Sequence, residues 1–371
     1  IFSTIILARM YPDIDKTIDN SQVAFRRGRS GLEVIHATQL LIDKCNAFEL
    51  PLTLTSTDFR KAFDKISRDH VYESLRLARV HPKYIRIVRN CYESAKAMIR
   101  LHRKERTIDL KSGLRQGDCW SPLLFICGLD RVLSQRIRES DYGFRLLKNI
   151  QPKRYTRLGI RDQDLGPYLN ELSFADDVTL PAATIEGSDQ QISYLEEDGR
   201  AAKLVLAPEK CKRLCINIKS QDGTLARSRI ECTDKLNILG AIIDGRRGNE
   251  AHIERRIKLA GQRMARLQKV WSSHDISLRQ KFIILWSVVF SVLLYASECL
   301  ALSQREIERY CTFYNKCIRR SFPCIFSEQT TALGSGISLG SSDKQQKEKR
   351  MDRYHCRGFK SGEPLESQCP G

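Results

Sequence analysis

Asp176 and Asp177 stand side by side between an aromatic–small pair, Phe174-Ala175, and the apolar run Val178-Thr179-Leu180. Neighbouring carboxylates repel, so such a pair on a short turn between strands needs either open solvent or a divalent cation to take up its charge. A solvated surface turn is the commoner setting for Asp-Asp. What argues for the cation is a second acid far away in sequence. From Leu52 to Thr57 leucine and threonine alternate, the period-two signature of a strand, and the run delivers Asp58 at its end. Phe59-Arg60-Lys61-Ala62-Phe63-Asp64 then turns helical. Between the two acidic blocks lies Gly113-Leu114-Arg115-Gln116-Gly117-Asp118-Cys119-Trp120-Ser121-Pro122-Leu123-Leu124-Phe125. It reads as a glycine-bounded turn feeding an apolar helix over Leu123 to Leu133, with Pro122 near its first turn, where a missing N–H costs little.

Taken in order, these three blocks resemble the palm motifs of reverse transcriptases, and their wording is similar to the non-LTR (LINE-type) retrotransposon branch: D-F-x-K-A-F-D, then G-x-R-Q-G-D-P-x-S-P-x-L-F, then A-D-D. The resemblance covers roughly residues 1–322. It implies an α+β right-hand polymerase fold with partial fingers, a palm on a small antiparallel sheet and a helical thumb. Fingers and palm are expected over 1–245, the thumb over 246–325 and a disordered tail over 326–371, where Gly, Ser, Gln and Lys dominate and apolar periodicity vanishes. The implied activity is RNA-directed DNA synthesis, with an RNA template, a DNA primer, deoxynucleoside triphosphates and the element's own RNA as partners. Nucleotidyl transfer uses two cations about 4 Å apart. One carboxylate must reach both, with others from a neighbouring strand, a set that Asp58, Asp176 and Asp177 supply. All-oxygen ligands suit Mg²⁺, with Mn²⁺ as a substitute.

Carried over residue by residue, the resemblance gives further positions. The Phe59 carbonyl would face the second metal. Phe63, five positions after Asp58, would lie beneath the incoming sugar and exclude a 2′-hydroxyl by clash. Arg60 would face the triphosphate or solvent, Gln116-Gly117 the nucleotide and template, and Lys210 the pyrophosphate, as general acid or as a plain exposed lysine. Ser21-Gln22-Val23-Ala24-Phe25-Arg26-Arg27-Gly28-Arg29-Ser30 resembles a fingers block in which Arg26 and Arg29 flank a glycine turn and contact phosphate or template. Leu236 to Asp244 resembles the hairpin that grips the primer, with Leu239-Gly240 at its tip. This sequence departs from the family's pattern at Ala24, Arg27, Cys119, Phe174, Lys203, Ala207 and Ile238.

Sixty-two Lys+Arg against 44 Asp+Glu give a net charge of +18, which calls for a polyanionic partner. Half of that excess lies in 246–325, where helical apolar spacing (Ile253, Ile257, Met264) leaves Arg255, Arg256, Lys258, Arg263, Arg266 and Lys269 for the other faces. Thirteen cysteines without paired spacing argue for reduced thiols in an intracellular ribonucleoprotein, nuclear or cytoplasmic, and Cys211/Cys215 lack a partner pair for zinc. Phe282 to Tyr295 reads as a buried helix too short to span a bilayer. The chain opens at Ile1 without methionine on an apolar helix lacking a signal-peptide charge pattern, and reads as a piece of a longer protein; members of the family it resembles often carry an endonuclease domain further upstream. Two other functions fit the same blocks: a retroelement remnant that binds nucleic acid without polymerising, and an RNA-dependent RNA polymerase.

Overall fold

The computed structural model describes residues 1–101, 104–110, 112–147, 165–218, 230–246 and 248–322. The tail expected beyond 326 lies outside the described residues.

Its centre is a five-stranded sheet in the order β6-β7-β1-β8-β9: β1 (Leu52–Thr57), β6 (Leu172–Phe174), β7 (Asp177–Ala182), β8 (Lys212–Ile216) and β9 (Glu231–Cys232). All its pairings are antiparallel except β8 with β9, and two separate hairpins pair β2 (Lys96–Leu101) with β3 (Lys104–Asp109) and β4 (Phe144–Leu147) with β5 (Leu165–Leu169). The leucine–threonine alternation of β1 does sort two faces, but neither meets water. Leu52 and Leu54 enter a core with Ile35 and Ile42 of α2 (Gly31–Phe48) and with Leu236 and Ile243 of the hairpin β10 (Lys235–Ile238) and β11 (Ala241–Asp244). Thr53, Thr55 and Thr57 are buried on the other face. That is tolerable because every hydroxyl is paired: Thr53 and Thr57 donate to the Ala182 and Val178 carbonyls, and Thr55 meets Ser188 Oγ at 2.7 Å. Ser188 belongs to α7 (Ile185–Ala201), capped by Thr184.

A second core joins α1 (Phe2–Asp15), α4 (Arg68–Leu77, capped by Ser67), α5 (Pro82–Glu93) and α6 (Ser121–Gln135) around Leu124, Phe125 and Leu129. Between β1 and α4 a single helical turn, α3 (Ala62–Lys65), carries Phe63, whose ring stacks on Phe125 at 4.1 Å. The turn before α6 lies against α3: Leu114 N–H donates to the Phe63 carbonyl, and a Cβ on Gly113 (φ +73°) would strike the Asp64 carbonyl at 2.3 Å. Only glycine fits there. The expected glycine near 203 is Lys203, and it holds the left-handed φ of +59° all the same.

A third core builds the C-terminal helical bundle from α8 (Glu250–Arg266), α9 (Leu278–Ile284, running on through a π-turn over Leu285–Phe290) and α10 (Gln304–Ser321). Two expectations need correction here. Arg256 turns inward and is buried, because its guanidinium stacks over Tyr295 at 4.4 Å. The apolar helix is only partly buried: Leu278–Cys299 is long and apolar enough to cross a membrane by length and composition, and a third of its 18-residue apolar window is buried. Leu285, Val289, Phe290 and Leu293 enter the bundle core while Phe282, Ile283 and Trp286 face outward. The ten described cysteines are free.

Candidate active site

Register is what assembles the acidic blocks. β1 pairs with β7 so that Thr57 lies opposite Val178, and in β6–β7 Phe174 lies opposite Asp177, leaving Ala175-Asp176 as a two-residue turn. One step beyond Thr57, Asp58 therefore reaches the same sheet end as Asp177. The Asp58 backbone is pinned from its other side, where Ala207 N–H donates to its carbonyl at 2.8 Å and Arg60 N–H donates to the Val205 carbonyl at 2.8 Å.

The charges at that sheet end act on one another. Asp176 holds its proton to higher pH than an ordinary aspartate, first because it is withdrawn from water and then because Asp58 is near. Asp177 is shifted the same way by desolvation and by the charges of Asp176 and Asp58. Lys210 Nζ stands 3.4 Å from Asp58 Oδ1, the nearest positive charge. Among the described residues no group of three or more His, Cys, Asp or Glu side chains stands together closely enough to hold a metal ion. Asp58 pairs with a lysine instead; an all-oxygen set at one sheet end, in which Asp176 and Asp177 hold raised pKa values, has the donor chemistry of a hard divalent cation.

The raised values have a testable sign. Without metal, Asp176 and Asp177 bind protons more tightly folded than unfolded, so the stability they add is complete below the ordinary aspartate pKa and is lost as pH rises through their raised values. In chelator, Asp177→Asn should therefore melt above the parent at pH 7, with the gap closing at pH 4; differential scanning fluorimetry across that range reads it. Equal melting at both pH values would show that no such repulsion exists.

The other candidate positions divide. Phe59 is buried in the core, and Phe63 on α3 is half-buried, its ring packed against Phe125. Gln116 lies five residues before α6 rather than on it and donates to Asp64 Oδ1 at 3.3 Å. Gly117 has φ +96° with open space where a Cβ would stand. Arg60 forks onto both oxygens of Glu209 at 3.0 Å, on an exposed surface where the pair adds little stability. Arg29 donates to Glu33 and to the Asn20 carbonyl. Arg26 is largely engaged within the fold: its Nε donates to Asp15 Oδ1 at 2.7 Å, and the carbonyls of Asp19, Gln22 and Asp15 take three more of its five N–H groups.

The Leu239-Gly240 tip is held from the helical bundle. Tyr295 Oη donates to the Leu239 carbonyl at 2.7 Å, and Arg256 Nη2 donates to the Gly240 carbonyl. His252 Nδ1 accepts from Ile242 N–H while Nε2 meets the Tyr295 carbonyl, and burial pulls its pKa down to about 4, so the ring is neutral. Leu239 also reaches the carboxylate hairpin: a Cβ on Gly31 would lie 3.0 Å from Leu239 and 3.3 Å from the Phe174 ring. Sequence reasoning gave Arg256 to an outer face and assigned no role to Tyr295 or to Gln22, which is buried against Ala175. Sequence carried no signal for them, since their partners lie tens to hundreds of positions away.

Residues 1–243 match the family model described as reverse transcriptase (RNA-dependent DNA polymerase). Over 166 residues the chain is 30% identical to the Retrovirus-related Pol polyprotein from type-1 retrotransposable element R2 of Nasonia vitripennis, a match covering 44% of this chain and 14% of that protein. This agrees with the non-LTR branch that the motif wording resembles. Among solved structures, the telomerase of Candida albicans in complex with a fragment of telomeric RNA aligns with a TM-score of 0.48 at 10% identity, over 91% of this chain and 59% of that one. Apo telomerase of Candida tropicalis aligns at 0.45 and 12%, over 87% and 51%. The chain thus spans a small part of the curated relative and little more than half of those telomerase chains. With the family model covering well over half of its 371 residues, the chain belongs to the reverse transcriptase (RNA-dependent DNA polymerase) family, of right-hand polymerase fold.

Proposed function

We propose that this chain copies RNA into DNA, joining a deoxynucleotide to a primer 3′-hydroxyl. The 3′-oxygen attacks the α-phosphorus, the bond to the β-phosphate oxygen breaks, the hydroxyl proton leaves and pyrophosphate departs. The observation that carries this reading is the β1–β7 register, which brings Asp58 to Asp176 and Asp177 across 118 positions. Those three carboxylates, with the Phe59 carbonyl, would hold two Mg²⁺ or Mn²⁺ ions. When bound, such ions acidify the 3′-hydroxyl and neutralise the triphosphate and its leaving group.

The chain's own groups take the remaining tasks. Lys210, already drawn to Asp58 at 3.4 Å, faces the site with a proton and a charge for departing pyrophosphate. Gln116 and Gly117 border the nucleotide, and Arg29 and Arg60 lie at the periphery. The hairpin tip at Leu239-Gly240, fixed by Tyr295 and Arg256, seats the primer strand. Residues 1–245 act as fingers and palm and 246–322 as the thumb, whose exposed Arg255, Lys258, Arg263, Arg266 and Lys269 face the duplex. The template is the element's RNA, and the work is done in an intracellular ribonucleoprotein.

Primer extension on an RNA template with Mg²⁺ or Mn²⁺ tests this: deoxynucleotide incorporation supports the enzyme, and salt-sensitive binding without incorporation supports the silent remnant. The stacking of Phe63 on Phe125 fixes one edge of the sugar site. Phe63→Val should therefore raise ribonucleotide use relative to deoxynucleotide use by roughly tenfold to a hundredfold. Competition kinetics on one template measure it, and unchanged sugar discrimination would refute the gate.

A further inference from the structure

The turn that carries Asp176 is built on a strained residue and held by one side chain. Ala175 has φ +54°, the left-handed conformation that a residue with a Cβ adopts only at a cost. Gln22 is fully buried beside it. Its Oε1 accepts from the N–H of Ala175 and from that of Ala24, both at 3.0 Å, and its Nε2 donates to the Ala175 carbonyl at 3.3 Å. One amide thus grips both polar groups of the residue preceding Asp176, across 153 positions.

The grip is itself anchored. Val23 N–H donates to the Ser173 carbonyl at 3.1 Å and Ser173 N–H to the Ser21 carbonyl at 3.0 Å, so residues 21–23 run along the edge of β6. Arg26 then ties the same loop to α1 through Asp15 and to its own start through the Asp19 and Gln22 carbonyls. Side chains that orient metal-bearing groups in this way act on affinity without touching the ion.

We infer that Gln22 is a positioning residue for the carboxylate turn: it holds Ala175 in its left-handed conformation and so aims Asp176 at the position shared with Asp58. Arg26 serves the same end by fixing the loop, not by meeting phosphate. The inference rests on the proposed cation site and is tested separately from catalysis.

Mn²⁺ binding to the full chain is followed by electron paramagnetic resonance, alongside template–primer affinity and melting temperature. Gln22→Met keeps the side chain's length and loses every hydrogen bond. Gln22→Asn keeps an amide one methylene short of Ala175. Both should weaken Mn²⁺ binding about tenfold or more, the range for lost orienting partners, with template–primer affinity within about twofold of the parent. Gln22→Glu retains the acceptor for both N–H groups and should stay within about threefold of the parent. Parent-like Mn²⁺ binding in Gln22→Asn, or in Gln22→Met where it folds, overturns the assignment, as does equal loss of Mn²⁺ and template–primer binding. A parent chain that binds Mn²⁺ yet extends no primer would refute the polymerase reading and leave this one standing on the metal titrations.

Discussion

Asp176→Asn should lower deoxynucleotide incorporation by at least about 10³-fold, since each 1.36 kcal/mol of lost transition-state stabilisation is tenfold and a catalytic cation supplies several. The same variant should keep its affinity for an RNA–DNA duplex, because the exposed basic residues of α8 lie on a different element. In chelator it should also be the more stable protein at pH 7, as removing the Asp176 carboxylate ends the cost of withdrawing it from water and its repulsion with Asp58 and Asp177. Loss of rate with gain of metal-free stability is the signature of a site kept at a cost to the fold. Single-turnover extension, duplex binding and thermal melting on one preparation read all three. Incorporation within tenfold of the parent would remove Asp176 from the chemistry.

Arg138→Met should destabilise the chain by about 3–5 kcal/mol, the usual result of stranding one member of a buried ion pair. Arg138 follows α6 and donates to Glu171 Oε1 at 2.5 Å and to Asp130 Oδ1 at 2.7 Å. Glu171 is almost wholly buried and also accepts from Ser21 Oγ at 2.8 Å and Ser173 Oγ at 2.7 Å. Burial pushes the Glu171 carboxyl above its ordinary value while Arg138 and the two serines pull it down. Without the arginine, the folded state favours the protonated acid. The variant's deficit should therefore shrink as pH falls from 7 to 5, and Arg138→Met with Glu171→Gln should recover much of the loss. Because Glu171 immediately precedes β6 and ties it to Ser21, the single variant should lose extension activity as well. Urea titrations at the two pH values check the claim; a loss below about 1 kcal/mol, typical of exposed pairs, would contradict it.

What was legible in the sequence follows from the range of the interactions. Alternation in β1 and the β6–β7 and β10–β11 hairpins are local, and the structure forms them where the pattern points. The threonine face of β1 was legible as a face but not as a buried one, since its partners are Ser188 and the carbonyls of β7. Arg256 was misassigned because an arginine reads as surface charge, and only tertiary structure shows the Tyr295 ring that takes it inside, as it shows the four oxygens that engage Arg26. Gln22 was equally silent, as the amide it grips is 153 positions away. The outward Phe282, Ile283 and Trp286 come from a helix whose apolar residues encircle it, so composition alone does not tell which side the bundle takes.

The central claim is that three aspartates distant in sequence converge on one cation position. Fe²⁺ loaded in place of Mg²⁺ and fired with peroxide cuts backbone close to where it binds. The expected result is paired cleavage, near Asp58 and near Asp176–Asp177, suppressed together by excess Mg²⁺ and together by Asp176→Asn. Cleavage at one segment alone, or cuts at the two that respond separately to Mg²⁺, would contradict the account.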